Sequence, residues 1–248
     1  MRILITCMVM CSFVYHGNAQ DSTNKKVKNF KNTIKFNVTS KVLYDNSYQF
    51  SYERLTRKNQ SFSIYGGYIE FPGALSLNIE NTQFSKASSK SGYALGMDYR
   101  FYLMKENKFG PPHGIYLAPF INYYKFKSER TLTYTDSLGN DESTKMHTGI
   151  GFLNIGAELG YQFVLGKRWV IDAVIFGPAV THYNFKVSMD DKLPGLDENG
   201  TIKQVIDALK EKYPVLKDLS SNQSVSGNGV EDFWSFGFRY CISVGFRF

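Results

Sequence analysis

Large apolar residues occupy every second position in the last strand-length segment of the chain, from Trp234 to Phe248. A β-strand has a side-chain period of two, so this segment would place its apolar groups on one face. The same alternation predicts strands in five further segments, and two others are apolar enough to be strands with a less clear pattern. The five are Thr33–Val38, Tyr48–Glu53, Phe62–Tyr68, Tyr93–Phe101 and Leu153–Phe163, and the two are Gly114–Phe126 and Trp169–Asn184.

The segments between these eight strands alternate in length. Short connections are expected at Thr56–Ser61, Met104–His113 and Leu165–Arg168, and long ones at Phe71–Lys90, Lys127–Thr148 and Phe185–Val230; the first connection on the long side, around Asp45 and Asn46, is tight. Alternating short turns and long loops are typical of outer-membrane barrels. The sequence therefore predicts an all-β fold, an antiparallel up-and-down transmembrane β-barrel of about eight strands.

One helix is expected in the last external loop, which covers residues 186–230. Apolar residues recur at helical spacing over residues 201–213, with Thr201 as the N-cap and Pro214 as the stop. We expect this helix to cover the barrel mouth or its own loop, and the alternative is a helix that binds a partner or lipid headgroups.

The first 19 residues have the features of a cleaved secretory signal. Arg2 precedes an apolar run from Ile3 to Tyr15, and Gly17 and Ala19 are the small residues before the cleavage point. A retained anchor and a lipoprotein signal are alternatives that fit less well. The expected organisation is a signal peptide, 1–19, and one barrel domain, 20–248, whose lone Cys241 can form no intrachain disulfide.

Composition supports strands that face lipid. The chain contains 17 Tyr, 20 Phe and 2 Trp, and no segment after the signal is apolar for about 20 residues, the length of a transmembrane helix. The formal net charge of +7 is modest and fits a solvated basic surface or acidic headgroups. Nothing points to nucleic acid as a partner.

If the apolar face of each strand points outward, charged residues collect on the inward face. An eight-stranded barrel has an interior that side chains can fill, and buried charges persist when paired. The balance of four acids and four bases predicts a packed polar lumen rather than an open pore, while an acid–base carboxylate pair is the weaker alternative. The predicted lumen charges are Lys35, Glu53, Asp98, Arg100, Glu158, Asp172, Arg239 and Arg247.

Motifs for catalysis or metal binding are weak. His182, in the run Thr-His-Tyr-Asn-Phe, lies near a strand end, but no His-x-Ser-Asn run accompanies it. The acidic segment that contains Asp136, Asn140, Asp141 and Glu142 could hold calcium, although its spacing does not fit an EF-hand and a solvated loop is the expected alternative. We expect no enzyme activity, no cofactor and no metal.

The chain resembles small outer-membrane β-barrel proteins of Gram-negative bacteria, of the OmpA/OmpX type in size. The aromatic residue at the C-terminus and the alternating apolar positions before it, Tyr240, Val244, Phe246 and Phe248, are similar to the insertion signal of such barrels. More narrowly, the chain resembles an uncharacterised barrel family. That resemblance rests on Ile34-Lys35-Phe36-Asn37, Tyr52-Glu53-Arg54 and Tyr116-Leu117-Ala118-Pro119-Phe120.

The resemblance implies an outer-membrane location, contact with outer-membrane lipid and lipopolysaccharide, and biogenesis through periplasmic chaperones and the barrel-assembly machinery. The leading hypothesis is a structural or loop-mediated interaction barrel without a wide pore. One alternative is a lipid-modifying barrel enzyme that uses His182. Another is a soluble lipocalin-like carrier, whose apolar face would point inward.

Overall fold

The computed structural model describes residues 30–44, 46–70, 82–84, 89–103, 105, 107, 109–135, 141–190 and 229–248. The predicted signal peptide and the predicted helix at 201–213 lie outside these residues. The elements are β1 Asn32–Asn37, α1 Val38–Leu43, β2 Tyr48–Arg57, β3 Gln60–Tyr68, β4 Thr82–Phe84, β5 Ser89–Tyr102, β6 Gly114–Thr135, β7 Asp141–Leu165, β8 Trp169–Met189 and β9 Gly229–Arg247.

Eight of the nine strands form a closed antiparallel ring. Each pairs with the next in the order β1, β2, β3, β5, β6, β7, β8 and β9, and β9 pairs back with β1. The short β4 pairs only with the far end of β6. The predicted up-and-down barrel of eight strands is therefore confirmed, and closure removes the exposed strand edges that an open sheet would have.

The two faces of the ring differ sharply in chemistry. Outward side chains are apolar and accessible, as in Phe236, which is 68% exposed, whereas inward Lys35 is 1% exposed. On β9 the outward apolar run extends from Trp234 to Phe246, about 40 Å along the strand. The alternation read from the sequence thus assigned the two faces of this strand correctly.

The predicted long loop at Lys127–Thr148 is wrong. The outward apolar side chains form a band around the barrel, which we call the apolar belt, and on β6 it ends at Tyr123. β6 and β7 remain paired from Gly114 with Gln162 to Thr135 with Asp141, so most of this segment is a hairpin that extends beyond the apolar belt. Its outward residues are polar, including Lys125 and Lys127. Its inward face still buries Phe126 and Met146, so only the outward face changes from apolar to polar.

A short helix, α1, replaces the tight connection expected after the first strand. The side chain of Asn37 caps it by accepting a hydrogen bond from the Ser40 amide at 3.0 Å. Its Thr39 hydroxyl accepts a hydrogen bond from the amide of Ile242 at 2.8 Å, where β9 continues past the end of β1. The helix therefore covers part of the β9 edge that β1 is too short to reach.

A β-bulge in β8 changes the direction of its side chains. The register with both neighbours shifts at Ile175 and Phe176, and both of these side chains are exposed. Asp172 points inward before the bulge and Thr181 points inward after it, so an even-numbered run and an odd-numbered run share the same face.

Among the described residues, no helix is long and apolar enough to cross a membrane.

Candidate functional site in the barrel lumen

Lys35 lies at the centre of a buried charge network. Its Nζ donates hydrogen bonds to Glu53 Oε2 at 2.7 Å, to Asp172 Oδ2 at 2.6 Å and to Gln162 Oε1 at 3.2 Å. These three acceptors lie on β2, β8 and β7, so one ammonium group joins strands from different sides of the ring. All three donor positions of the ammonium are used, which offsets part of the cost of burying the charge.

Arg100 carries the second buried cation of the network. Its Nε donates to Asp98 Oδ1 at 2.7 Å, and its Nη1 donates to Asp172 Oδ2 at 2.7 Å and to Gln162 Oε1 at 3.0 Å. The guanidinium also lies over the ring of Tyr116, with 4.3 Å from Cζ to the ring centroid. Asp172 therefore bridges Lys35 and Arg100.

Neutral donors occupy the remaining carboxylate oxygens. Glu53 Oε1 accepts hydrogen bonds from the hydroxyls of Ser61 at 2.6 Å and Tyr102 at 2.7 Å. Asp172 Oδ1 accepts from the hydroxyl of Tyr116 at 2.8 Å. Each of these two carboxylates is thus hydrogen-bonded through both oxygens.

We call the end of the barrel that carries α1 the loop side, and the end with the β2–β3 and β7–β8 turns the turn side. Arg239 and Glu158 form a further ion pair on the loop side of this network. Arg239 Nη1 also lies 4.0 Å from Asp98 Oδ2, which connects the pair to the Arg100 group. The guanidinium lies 4.5 Å from the ring centroid of Tyr65 and 5.2 Å from that of Phe120. With this pair, every strand of the ring contributes a side chain to the network.

Seven of the eight lumen charges expected from the sequence meet in this network, and Arg247 does not. Its Nη2 donates to the backbone carbonyl of Phe30 at 2.8 Å, near the turn end of the barrel. The alternation placed Arg247 on the same strand face as Arg239, but eight residues further along the strand. The network therefore contains three cations and four carboxylates.

Four neutral members were absent from the predicted charge set: Ser61, Tyr102, Tyr116 and Gln162. Gln162 lies on the inward face that the alternation of its strand defines, whereas Tyr116 belongs to a strand with a less clear pattern. Tyr116 lies against Gly160 on the neighbouring strand, where a Cβ would overlap its ring. The glycine thus makes room for a large ring inside a narrow barrel.

The network crosses the barrel lumen. Side chains from strands three places apart in the ring meet at hydrogen-bond distance, as Arg100 on β5 and Asp172 on β8 do. Among the described residues, six of the seven charged members are buried, and the seventh, Arg239, is partly exposed to the lumen on the loop side. The arrangement braces the wall by joining strands across the lumen.

On the loop side of the network, the lumen opens into a cavity of about 270 Å³. Asn37, Gln49, Asn122 and Asn154 supply polar groups, and α1 forms one side. The amide nitrogen of Asn122, Nδ2, has no hydrogen-bond partner among the described protein atoms. A cavity of this size with amide walls can hold ordered water or small polar solutes.

Stacked aromatic rings form the opposite wall of this cavity. Tyr124 and Phe152 stack with centroids 4.8 Å apart, and Phe126 lies 5.8 Å from Phe152. Tyr44, which follows α1, stacks on Phe126 at 6.3 Å. These contacts attach the helix segment to the inner wall of β6 and β7 and fix the shape of the cavity.

The candidate catalytic residue His182 lies apart from the lumen network. His182 lies on the outer face, 4.8 Å from the ring of Trp234 and 3.9 Å from Asp232 Oδ1, and no described serine or threonine hydroxyl bonds to it. Among the described residues, no group of three or more His, Cys, Asp or Glu side chains is placed to hold a metal ion. The possible calcium loop at residues 136–142 lies outside the described side chains.

Comparison with known proteins adds little to this geometry. No family model matches the chain, and no curated protein matches it. Among solved structures, the chain is similar to CarO2 of Acinetobacter baumannii, with 13% sequence identity and a TM-score of 0.40, over 88% of this chain and 98% of that one. At that score the likeness carries no argument, and the narrower family resemblance stays a prediction.

Proposed function

We propose that the chain is a β-barrel of the bacterial outer membrane with a closed polar lumen, which acts as a structural element or binds partners through its loops. The observation that carries this proposal is the inversion of polarity: charges lie inside the closed ring and large apolar side chains lie outside. Lys35 is 1% exposed, whereas Trp234 is 59% exposed. In water this outer surface would be a severe aggregation hazard, and in a bilayer it is solvated.

The outward belt also has the chemistry of a membrane barrel at its borders. Trp234 ends the apolar run of β9 on the loop side, and Trp169 begins that of β8 on the turn side. Aromatic side chains at both borders are typical of barrel girdles at the two bilayer interfaces. This supports an insertion with the turns on one side of the membrane and the loops on the other.

A soluble carrier fits this geometry poorly. A lipocalin-like barrel needs an apolar lumen for its ligand, and here the lumen holds Glu53, Arg100 and Asp172. A lipid-modifying enzyme has weak support, because His182 contacts Trp234 and has no hydroxyl nucleophile beside it. We therefore propose no catalytic role.

The end of β9 supports a route of assembly through the barrel-assembly machinery. Tyr240, Val244 and Phe248 point outward and are exposed, and Phe246 lies on the same face. The backbone of Phe248 exchanges two hydrogen bonds with Asn32, at 2.9 and 3.2 Å. We propose that these residues form the recognition signal and that periplasmic chaperones protect the strand before it pairs.

The decisive experiment is a heat-modifiability gel on purified outer-membrane fractions. A folded membrane barrel stays intact in detergent at room temperature and migrates differently after boiling. We expect a clear shift, and the protein in the outer-membrane fraction. Recovery in the soluble fraction alone would refute the proposal and favour the carrier.

A planar-bilayer recording tests the closed lumen separately. We expect no large stable conductance, because the network around Lys35 and Arg100 crosses the lumen. A large, steady single-channel current from the purified, heat-modifiable protein would refute the closed lumen while leaving the membrane location intact.

A further inference from the structure

The outer surface of the barrel carries a concave basic groove on the loop side of the apolar belt. The groove has a volume of about 470 Å³ and crosses β5, β6, β7 and β8. Its cationic side chains are Lys125, Lys127 and Lys186, with Ser91 and Asn184 beside them. We call this set the basic groove. Lys127 and Lys186 fall in segments that the sequence predicted as loops, and Lys125 lies near the end of a predicted strand with a less clear pattern, so the alternation did not reveal the groove.

The floor of the basic groove is a glycine between two lysines. Gly149 on β7 pairs with Lys127 on β6 and with Lys186 on β8. Neighbouring strands lie about 4.8 Å apart, so the two lysine backbones lie about 10 Å apart with no side chain between them. Lysine side chains are long enough for both ammonium groups to reach one anionic group above Gly149.

The acidic residues near the basic groove already have partners. Glu129 lies 3.3 Å from the ammonium of Lys145, and Asp190 lies 2.9 Å from His147 Nε2. Within the described part of the chain, Lys125, Lys127 and Lys186 make no ion pair. Asp232, beside the groove, accepts a hydrogen bond from Asn184 at 2.8 Å. One such carboxylate against three lysines leaves the groove with a net positive charge.

The apolar belt ends directly at the basic groove on each of its strands. On β5 the outward apolar run stops at Tyr93 before Ser91, and on β6 it stops at Tyr123 before Lys125. On β7 it stops at Leu153 before Gly151, and on β8 it stops at Val180 before His182 and Asn184. If the belt spans the hydrocarbon, the groove lies at the level of the lipid headgroups on the loop side. Basic side chains at that level attract anionic headgroups, and lysine binds phosphate as a point charge.

We propose that the basic groove binds the phosphate of an outer-leaflet phosphoglycolipid of the lipid A class, with Lys127 and Lys186 on either side of the phosphate and Lys125 beside them. This inference rests on the proposed membrane location. The serine and asparagine side chains at the rim add hydrogen-bond donors for sugar and phosphate oxygens. The barrel would thereby carry a fixed lipid on its outer wall, apart from the lumen.

The test is binding of bisphosphorylated lipid A to the folded full-length protein in detergent micelles. The variant K125Q/K127Q/K186Q removes the three charges, and the matched control K58Q/K105Q/K167Q removes three charges at the turn end. A surface lysine changes headgroup affinity by about fivefold, so we expect about 100-fold weaker binding in the groove variant. We expect the control to bind like the native protein. Equal losses in both variants, or no loss in either, would overturn the proposal.

A second variant removes space without removing charge. A Cβ at Gly149 would have no atom closer than 3.9 Å, so Gly149→Leu should fold normally and fill the gap between the lysines. We expect it to weaken lipid A binding while its heat-modifiable migration stays native. Native affinity in this variant would place the phosphate elsewhere.

Two further measurements identify the source of the phosphate and test the proposed membrane location. Inorganic phosphate at millimolar concentration should compete poorly with lipid A, because it lacks the acyl chains that the apolar belt would hold. Strong competition by inorganic phosphate would overturn the lipid assignment. If the native protein shows no heat modifiability, the membrane location itself fails. Native heat modifiability without lipid A binding refutes the groove alone.

Discussion

Replacing Lys35 with methionine should destabilise the barrel severely. Lys35→Met keeps a side chain of similar length but removes an ammonium that holds Glu53 at 2.7 Å and Asp172 at 2.6 Å, with all three side chains at most 4% exposed. Removing one partner of a buried ion pair costs about 3–5 kcal/mol, because the carboxylates stay buried without compensation. This corresponds to at least a 100-fold change in the folding equilibrium constant.

The measurement is reversible denaturant unfolding of the protein in lipid vesicles, followed by the fluorescence of Trp169 and Trp234. These residues lie at opposite borders of the belt, so coincident transitions would report global unfolding. The control is Lys58→Met in the exposed turn between β2 and β3, for which we expect a change within about 0.5 kcal/mol. A result for Lys35→Met as small as that of the control would refute the network as a stabilising element.

A partner substitution sharpens the test. In K35M/E53Q the uncompensated carboxylate of Glu53 becomes a neutral amide that can still accept from Ser61 and Tyr102. We expect the double variant to recover about 1–3 kcal/mol relative to Lys35→Met, since residues in direct contact couple by about this much. If the effects of the two substitutions on the free energy of unfolding simply add, Lys35 stabilises the barrel through a residue other than Glu53.

Two further perturbations test the outer surface and the turn side. Met97→Arg, in the middle of the apolar run of β5, should cost about 2–4 kcal/mol in vesicle unfolding, whereas Ser91→Arg on the same face should cost at most about 1 kcal/mol; equal costs would contradict lipid contact. Burial lowers the pKa of His113, whose Nδ1 accepts from the Val164 amide at 3.2 Å. The unfolded chain therefore binds this proton more readily, and stability should fall as the pH drops through about 6.5. In denaturant titrations at pH 8 and pH 5, His113→Gln should lose less stability than the native protein, and an equal loss would refute this role.

The strands that cross the belt could be predicted from the sequence because only one of their faces is apolar. Six of them repeat a two-residue period, as β9 does from Trp234, while β6 and β8 show it less clearly. The inward charges followed from the same period. Their pairing did not, because the contact of Lys35 with Asp172 depends on ring closure and on the bulge at Ile175, neither of which has a marker in the sequence.

The segments missed by the sequence prediction lack that period. α1 has six residues, too few to show helical spacing, and only Asn37 marks its start. The extension of β6 and β7 beyond Phe126 carries Lys127 outward, and it reads as a loop because polar strands resemble loops in composition. The basic groove was missed for the same reason, since it lies where the apolar pattern ends.

The seam between β1 and β9 has a consequence for the order of assembly. Only Thr33–Asn37 pair with Ser243–Arg247, whereas β6 and β7 pair over the full length of β6. Nearby residues at this seam, Thr39 and Ile242, are 203 positions apart in the chain, while the other joints link strands that follow each other. Local hairpins can thus form early, and the seam, a ladder of five residue pairs, closes across the greatest chain separation. The same joint is then the first to part under load, and a pulling experiment on Asn32 and Phe248 would unzip the barrel from its own ends.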